Sequence, residues 1–121
     1  KFGQIFRIKL SPDGETDRLE LYFESVSKHQ FDYGDNVVAA PNGHLIVCED
    51  QYTMVVDNHL RGIAPDGNAY PLARLRLQTE LAGACFSPDG HTLFVNVYAP
   101  TKTLAITGPW DSFNARTIVV A

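Results

Sequence analysis

One stretch of the sequence occurs twice, first as Asn36-Val-Val-Ala-Ala-Pro-Asn-Gly-His-Leu-Ile-Val-Cys-Glu49 and then as Gly83-Ala-Cys-Phe-Ser-Pro-Asp-Gly-His-Thr-Leu-Phe-Val-Asn96. The copies align without a gap and begin at positions 36 and 83, an offset of 47 residues. In each copy a Pro-Asn-Gly or Pro-Asp-Gly turn separates two apolar segments. A period of about 40–50 residues with two hairpins per unit is typical of a β-propeller, in which each unit is a four-stranded blade.

The hairpins are indicated by a turn that recurs along the chain. Proline fixes its own φ, Asp or Asn hydrogen-bonds the nearby backbone, and glycine adopts a positive φ, so the combination favours a tight turn. The flanking segments alternate as strands do, since Leu19, Leu21 and Phe23 fall on one face. The sequence predicts four hairpins, one at each such turn: Ser11–Gly14, Ala40–Gly43, Ala64–Gly67 and Ser87–Gly90.

These features predict an all-β chain that forms an incomplete β-propeller of about two to two and a half four-stranded blades. Residues 1–34 are predicted to form the outer half of one blade, residues 35–79 a full blade, and residues 80–121 the last blade, which includes a strand at Thr117–Val120. Propellers close with about four to eight blades. We therefore expect the chain to be part of a longer polypeptide and expect isolated copies to associate through unpaired strand edges and an apolar face.

Composition argues against two classes of partner. Ten basic and fourteen acidic residues give a net charge of −4, and the basic residues are not clustered, which argues against a nucleic acid. No apolar run approaches the roughly 20 residues of a transmembrane helix. Cys48 and Cys85 lie in apolar runs and are predicted to be small buried side chains.

Acidic and amide side chains stand at the predicted strand ends. Asp35 and Asn36 stand at the start of one inner strand, and Glu80 lies just before the next inner strand. Glu49 and Asp50 follow the second strand of the blade predicted for residues 35–79. If these side chains meet at the mouth of a central channel, their like charges need compensation, which a bound cation supplies. Oxygen ligands suit calcium, iron or manganese better than zinc.

The same residues also have an interpretation without a ligand. Asp35-Asn36 can be a turn pair that leads into a strand, and Glu49-Asp50 can be a solvated loop. Arg61, Arg74 and Arg76 are candidates for binding an anion, but the interpretation that the sequence favours for each is a solvated surface arginine. Spacing alone identifies neither catalytic nor substrate-binding residues.

Four separated motifs of the chain occur in the order found in a known family. The sequence is similar, from about Gly3 to Trp110, to the C-terminal part of the PhoX-type alkaline phosphatases. The motifs that carry this resemblance are Asp35–Asp50, Leu60–Gly67, Thr79–Gly90 followed by Leu93–Asn96, and Leu104–Trp110 with its unusual Ile-Thr-Gly-Pro-Trp ending.

The resemblance implies a six-bladed propeller that is a phosphomonoesterase, secreted or periplasmic after twin-arginine export, with calcium and iron at the channel mouth. The ligands that it implies in this chain are Asp35, Asn36, Glu49, Asp50 and Glu80. Because other ligands would lie in other blades, we expect the segment alone to be inactive. The family tends to have glycines after Cys48-Glu49-Asp50, whereas this chain has the bulkier loop Gln51–Asp57, which is expected to reshape the mouth.

Two other functions remain open at this point. The segment can be part of a non-enzymatic propeller scaffold, in which the acidic pairs only end strands. It can also belong to a lactonase-like propeller that uses calcium alone, without iron. Metal analysis distinguishes the three possibilities.

Overall fold

The computed structural model describes residues 2–55 and 57–114, and within these ranges the regular secondary structure is almost entirely β. The described residues form nine strands and one short helix: β1 (Gln4–Lys9), β2 (Arg18–Glu24), β3 (Gly34–Ala39), β4 (Leu45–Glu49), β5 (His59–Ile63), β6 (Ala69–Arg74), β7 (Leu81–Phe86), β8 (Thr92–Val97), β9 (Lys102–Thr107) and α1 (Trp110–Asn114).

The strands form three antiparallel sheets in chain order. The first sheet is β1-β2, the second is β3-β4-β5-β6, and the third is β7-β8-β9. The chain is therefore an all-β, propeller-like fragment, and the predicted fold class is confirmed. Helix α1 was not among the predicted elements, and the predicted strand Thr117–Val120 lies outside the described residues.

All four predicted turns are present, and each has a glycine at its last position. The φ angles of Gly14, Gly43, Gly67 and Gly90 are 72°, 81°, 85° and 73°. Each of these glycines donates its N–H to the carbonyl three residues earlier, at 2.8–3.1 Å. A residue with a Cβ rarely adopts this conformation, so glycine ends each turn.

Side-chain alternation on β4 divides the core into two clusters. Ile46 and Cys48 pack with the third sheet, against Leu81, Leu93 and the ring of Trp110 among others. Val47 points the other way, toward Phe23 and Phe31 in a second cluster. Consecutive residues of β4 therefore face different neighbouring sheets, as the period of two along a strand requires.

The two cysteines differ in burial. Cys48 is buried, as predicted, but Cys85 is exposed, so the prediction for Cys85 is wrong. On β7 the alternate residues Ala84 and Phe86 pack against the core, which leaves Cys85 on the opposite face.

The first sheet has an uncovered apolar face. Phe6 pairs with Leu21 and Ile8 with Leu19, and these four side chains are 49–65% exposed. Within the described ranges, no helix has the length and apolar character that a membrane span requires.

Candidate metal centre

Three carboxylates meet where strands of the second and third sheets begin or end. Asp35 is the second residue of β3, Asp50 directly follows β4, and Glu80 directly precedes β7. One carboxylate oxygen from each residue lies within 4.8 Å of the other two. We call Asp35, Asp50 and Glu80 the acidic group; it contains three of the five predicted ligands.

The environment of the acidic group disfavours its negative charge. The pKa of Asp50 is raised, mainly by burial and further by the charge of Asp35. The pKa of Glu80 is raised by burial first and then by the charges of Asp50 and Asp35. Within residues 2–55 and 57–114 no ion pair connects any of the three to a basic side chain. The group therefore concentrates negative charge without a counter-charge from these residues.

The surroundings of one Asp50 oxygen indicate whether the acidic group can bind a cation. Asp50 Oδ1 is buried and has no hydrogen-bond partner within the described part of the chain. Buried polar atoms are normally satisfied, and a metal ion satisfies an acceptor that lacks a donor. Three carboxylates without nitrogen or sulfur form a donor set that suits calcium, iron or manganese better than zinc. The residues present therefore fit a hard cation.

Asn36 stands beside the acidic group, and both polar atoms of its side chain have protein partners. Its Oδ1 accepts a hydrogen bond from the backbone N–H of Gly83 at 2.7 Å. Its Nδ2 donates to Asp35 Oδ2 at 2.8 Å. Asn36 therefore connects β3 to β7 and orients the Asp35 carboxylate.

The structure does not bring Glu49 to the acidic group. The Glu49 side chain is completely buried. Its Oε1 accepts hydrogen bonds from the Asp32 N–H at 3.1 Å and from Arg61 Nε at 2.8 Å. Its Oε2 accepts from the His59 N–H at 3.0 Å and lies 3.2 Å from His59 Nδ1. We call Glu49, His59, Arg61 and the Asp32 N–H the Glu49 network.

Alternation on β4 explains why Glu49 and Asp50 separate. Glu49 continues the face of Val47, which packs toward Phe31, whereas Asp50 continues the face of Cys48, which packs toward the third sheet. Two carboxylates that are adjacent in sequence therefore enter different environments.

The prediction for Arg61 is wrong, because this side chain is only 3% exposed. Arg74 and Arg76 are exposed, as predicted. Arg61 lies opposite Val47 in the interior of the second sheet, where it reaches Glu49. The sequence contained a signal for this pair, since an acidic and a basic residue stand in neighbouring apolar strands, and a buried charge requires a partner.

The loop after Asp50 places a tyrosine beside the acidic group. Tyr52 is 80% exposed. Its hydroxyl is close enough to the charge of Asp50, and then to that of Glu80, for both to raise the pKa of Tyr52. The side chain therefore lies at the solvent side of the acidic group, in the loop where the sequence departs from the family pattern.

Comparison with models of known protein families gives a match. A family model described as "Alkaline phosphatase PhoX" matches residues 1–101 of the 121-residue chain. The matched range includes the acidic group and the Glu49 network. No curated protein and no solved structure matches the chain.

Proposed function

Because the chain belongs to the PhoX alkaline phosphatase family, we propose that it contributes part of the metal centre of a phosphomonoesterase. The observation that carries this proposal is the acidic group, in which one oxygen from each of three carboxylates lies within 4.8 Å of the other two. In addition, Asp50 Oδ1 is buried without a hydrogen-bond partner among the described residues. Family membership supports a phosphoester substrate, and the acidic group supports a cation.

In this proposal Asp35, Asp50 and Glu80 bind calcium directly. Asn36 holds Asp35 through its amide, and Glu49 fixes the end of β4 from the opposite face. Iron is expected from the family resemblance, with its further ligands outside this chain. When bound, such ions supply a Lewis acid for phosphate oxygens and neutralise charge as the ester bond breaks.

The three sheets fit the proposed division into blades. The second sheet would be the full blade of residues 35–79, the third the last blade of residues 80–121, and the first the outer half of a blade in residues 1–34. The uncovered apolar face of Phe6, Ile8, Leu19 and Leu21 supports self-association of the isolated segment. We also propose that the segment alone is inactive and that the complete protein is periplasmic or secreted.

The test uses a longer polypeptide that carries this chain and the remaining blades. Asp50→Asn and Glu80→Gln remove one ligand charge each and are expected to lower phosphomonoesterase activity and bound calcium by about tenfold or more. Asp66→Asn is the matched control, because Asp66 is exposed and its Oδ1 accepts a hydrogen bond from the Asn68 N–H at 2.9 Å, within its own turn. Unchanged metal content in the Asp50 and Glu80 variants would defeat the proposal.

Metal analysis of the same polypeptide separates the alternative functions. The carboxylate-only acidic group suits calcium, which a lactonase-like propeller would also use. Calcium together with iron supports the phosphatase. Calcium alone, with lactone hydrolysis and no phosphatase activity, would support the lactonase. Neither metal nor activity would support a scaffold.

A further inference from the structure

Asn58 is a buried polar residue that the proposed function does not use. It lies directly before β5, and its side chain is 1% exposed. Its Oδ1 accepts a hydrogen bond from the Gln51 N–H at 2.7 Å. Its Nδ2 donates to the Thr79 carbonyl at 2.8 Å and to the Gln51 carbonyl at 3.4 Å. The amide is thus used as acceptor and as donor at the same time.

The partners of Asn58 have a common property. Gln51 directly follows Asp50, and Thr79 directly precedes Glu80. A single planar amide therefore connects the backbone next to one carboxylate of the acidic group with the backbone next to another. Gln78 adds a second link, because its Nε2 also donates to the Gln51 carbonyl, at 3.0 Å.

Strand pairing does not set the distance between Asp50 and Glu80. Asp50 follows β4 of the second sheet and Glu80 precedes β7 of the third, and these two strands belong to separate ladders. Residues 76–79 form bends and not a strand. Core packing between the two sheets brings these segments together, and side-chain hydrogen bonds supply the direct connection between them that a ladder would otherwise give.

The chemistry of the position is specific to asparagine. The site needs one acceptor for an N–H and two donors for carbonyls, which an amide supplies. A carboxylate would lose both donors and add negative charge beside the acidic group. An apolar side chain of the same size would take from the Gln51 N–H and the Thr79 carbonyl the partner that Asn58 gives them, while the Gln51 carbonyl would keep its hydrogen bond from Gln78.

We propose that Asn58 is a positioning residue for the cation site, which fixes the separation of Asp50 and Glu80 and thereby sets the calcium affinity of the acidic group. This inference rests on the cation-binding part of the proposed function. Asn58 touches neither the cation nor the substrate, and it acts through the backbone on which the two ligands stand. Groups that orient metal ligands typically change metal affinity by about 10–100-fold when they are removed.

The test is a calcium titration by calorimetry of the longer polypeptide, first stripped of metal. Asn58→Ala is expected to weaken calcium binding by about tenfold or more. Asn58→Ser keeps one hydroxyl that can replace part of the amide, so we expect an intermediate loss. Asn58→Ser also serves as the test if Asn58→Ala does not fold.

Asn42 offers a matched control. It is also buried, and its amide also donates to a carbonyl, that of Phe113 at 2.9 Å, and accepts from an N–H, that of His44 at 3.1 Å. Asn42 belongs to the turn before β4, whereas Asp50 follows the end of that strand. Asn42→Ala is therefore expected to lower the melting temperature as Asn58→Ala does, but to leave the calcium dissociation constant unchanged.

The outcomes separate the two proposals. Loss of affinity in the Asn58 variants but not in Asn42→Ala supports the positioning role. Equal affinity in wild type and folded Asn58 variants overturns the positioning role while the cation site stands. If the wild-type polypeptide binds no calcium, both the positioning role and the cation site are overturned.

Discussion

Glu49 and Asp50 are adjacent in the sequence, yet their carboxylates lie in opposite electrostatic environments. The Glu49 carboxylate is completely buried and accepts hydrogen bonds from Arg61 and from two backbone N–H groups. Asp50 faces two further carboxylates, and its Oδ1 has no partner within the described part of the chain. The first charge is compensated by the protein itself, whereas the second has no counter-charge among the described residues.

The difference shows that two adjacent acidic residues at a strand end can lie in separate environments and have separate roles. The side-chain period of two directs the first residue to one neighbouring sheet and the second residue to the other. A buried carboxylate with an arginine stabilises the position of the strand end, whereas converging carboxylates weaken the fold until a cation binds. Removing charge should therefore destabilise the protein at Glu49 and stabilise the metal-free protein at Asp50.

The largest effect is expected at Glu49. Glu49→Gln keeps the shape of the side chain but leaves the Arg61 charge buried without its carboxylate. The expected loss is about 3–5 kcal/mol in the free energy of unfolding, measured by urea denaturation of the longer polypeptide. Glu15→Gln, at an exposed position, is the control and is expected to change stability by less than about 0.5 kcal/mol.

A second change identifies the source of that loss. Arg61→Met in the Glu49→Gln background removes the uncompensated charge and is expected to recover about 1–3 kcal/mol. If the double variant is less stable than Glu49→Gln, the ion pair is not the main contribution of Glu49, and its bonds to backbone N–H groups are.

The sequence was sufficient for the parts of the fold that depend on local chemistry. The glycine turns and the repeat at positions 36 and 83 predicted the hairpins and the all-β class, because positive φ and strand alternation are encoded within a few residues. The sequence missed α1 and the exposure of Cys85. The exposure of Cys85 depends on which face of β7 the core covers, and α1 packs Trp110 into the same core cluster from beyond the last strand.

The candidate site was predictable only in part. Asp35, Asp50 and Glu80 could be selected because they stand at strand ends that a propeller brings together. Glu49 and Arg61 left a signal as opposite charges in neighbouring apolar strands. The partners of Asn58 left none, since Thr79 reaches it through a contact between segments that sequence spacing does not specify. Ligand types are visible in a sequence, but the hydrogen bonds that orient ligands require the folded chain.

At Asp50 the sign of the effect is expected to depend on calcium. In chelator, Asp50→Asn removes like-charge repulsion and is expected to stabilise the protein by about 0.5 kcal/mol. With free calcium about 100-fold above its dissociation constant, the wild type gains about 2.7 kcal/mol, and the variant gains much less. Thermal denaturation with and without calcium measures both effects, with Asp66→Asn as control. Equal calcium stabilisation of wild type and Asp50→Asn would show that Asp50 is not a ligand.

A smaller effect should appear as a pH dependence with opposite signs in the two metal states. The pKa values of Asp50 and Glu80 are raised above their ordinary values of 3.8 and 4.5, so the folded state binds these protons more tightly than the unfolded state. The destabilisation is therefore complete above the raised pKa values and is relieved as the pH falls through them toward the ordinary values. With calcium bound, protonation competes with the ion, and the same acidification should destabilise the protein.

The measurement is the difference in melting temperature between wild type and the Asp50→Asn, Glu80→Gln double variant, followed across this pH range. The difference cancels contributions from carboxyl groups elsewhere in the chain. In chelator the wild type should approach the variant as the pH falls. If the difference in melting temperature increases as the pH falls in the presence of a chelator, the two pKa values are lowered in the folded protein.

The smallest effect is expected at Tyr52, the residue that lies between the acidic group and solvent. Its side chain is 80% exposed, so a water molecule can replace the hydrogen bond between its hydroxyl and Asp50. Tyr52→Phe should therefore change the calcium dissociation constant by no more than about twofold, or about 0.5 kcal/mol, in the same calorimetric titration. A tenfold loss would mean that the phenol oxygen is a fourth ligand. The cation that compensates the charge of Asp50 would then also be bound by a residue of the Gln51–Asp57 loop. In that case the difference from Glu49, which protein groups compensate, would involve this loop as well as the Asp50 carboxylate.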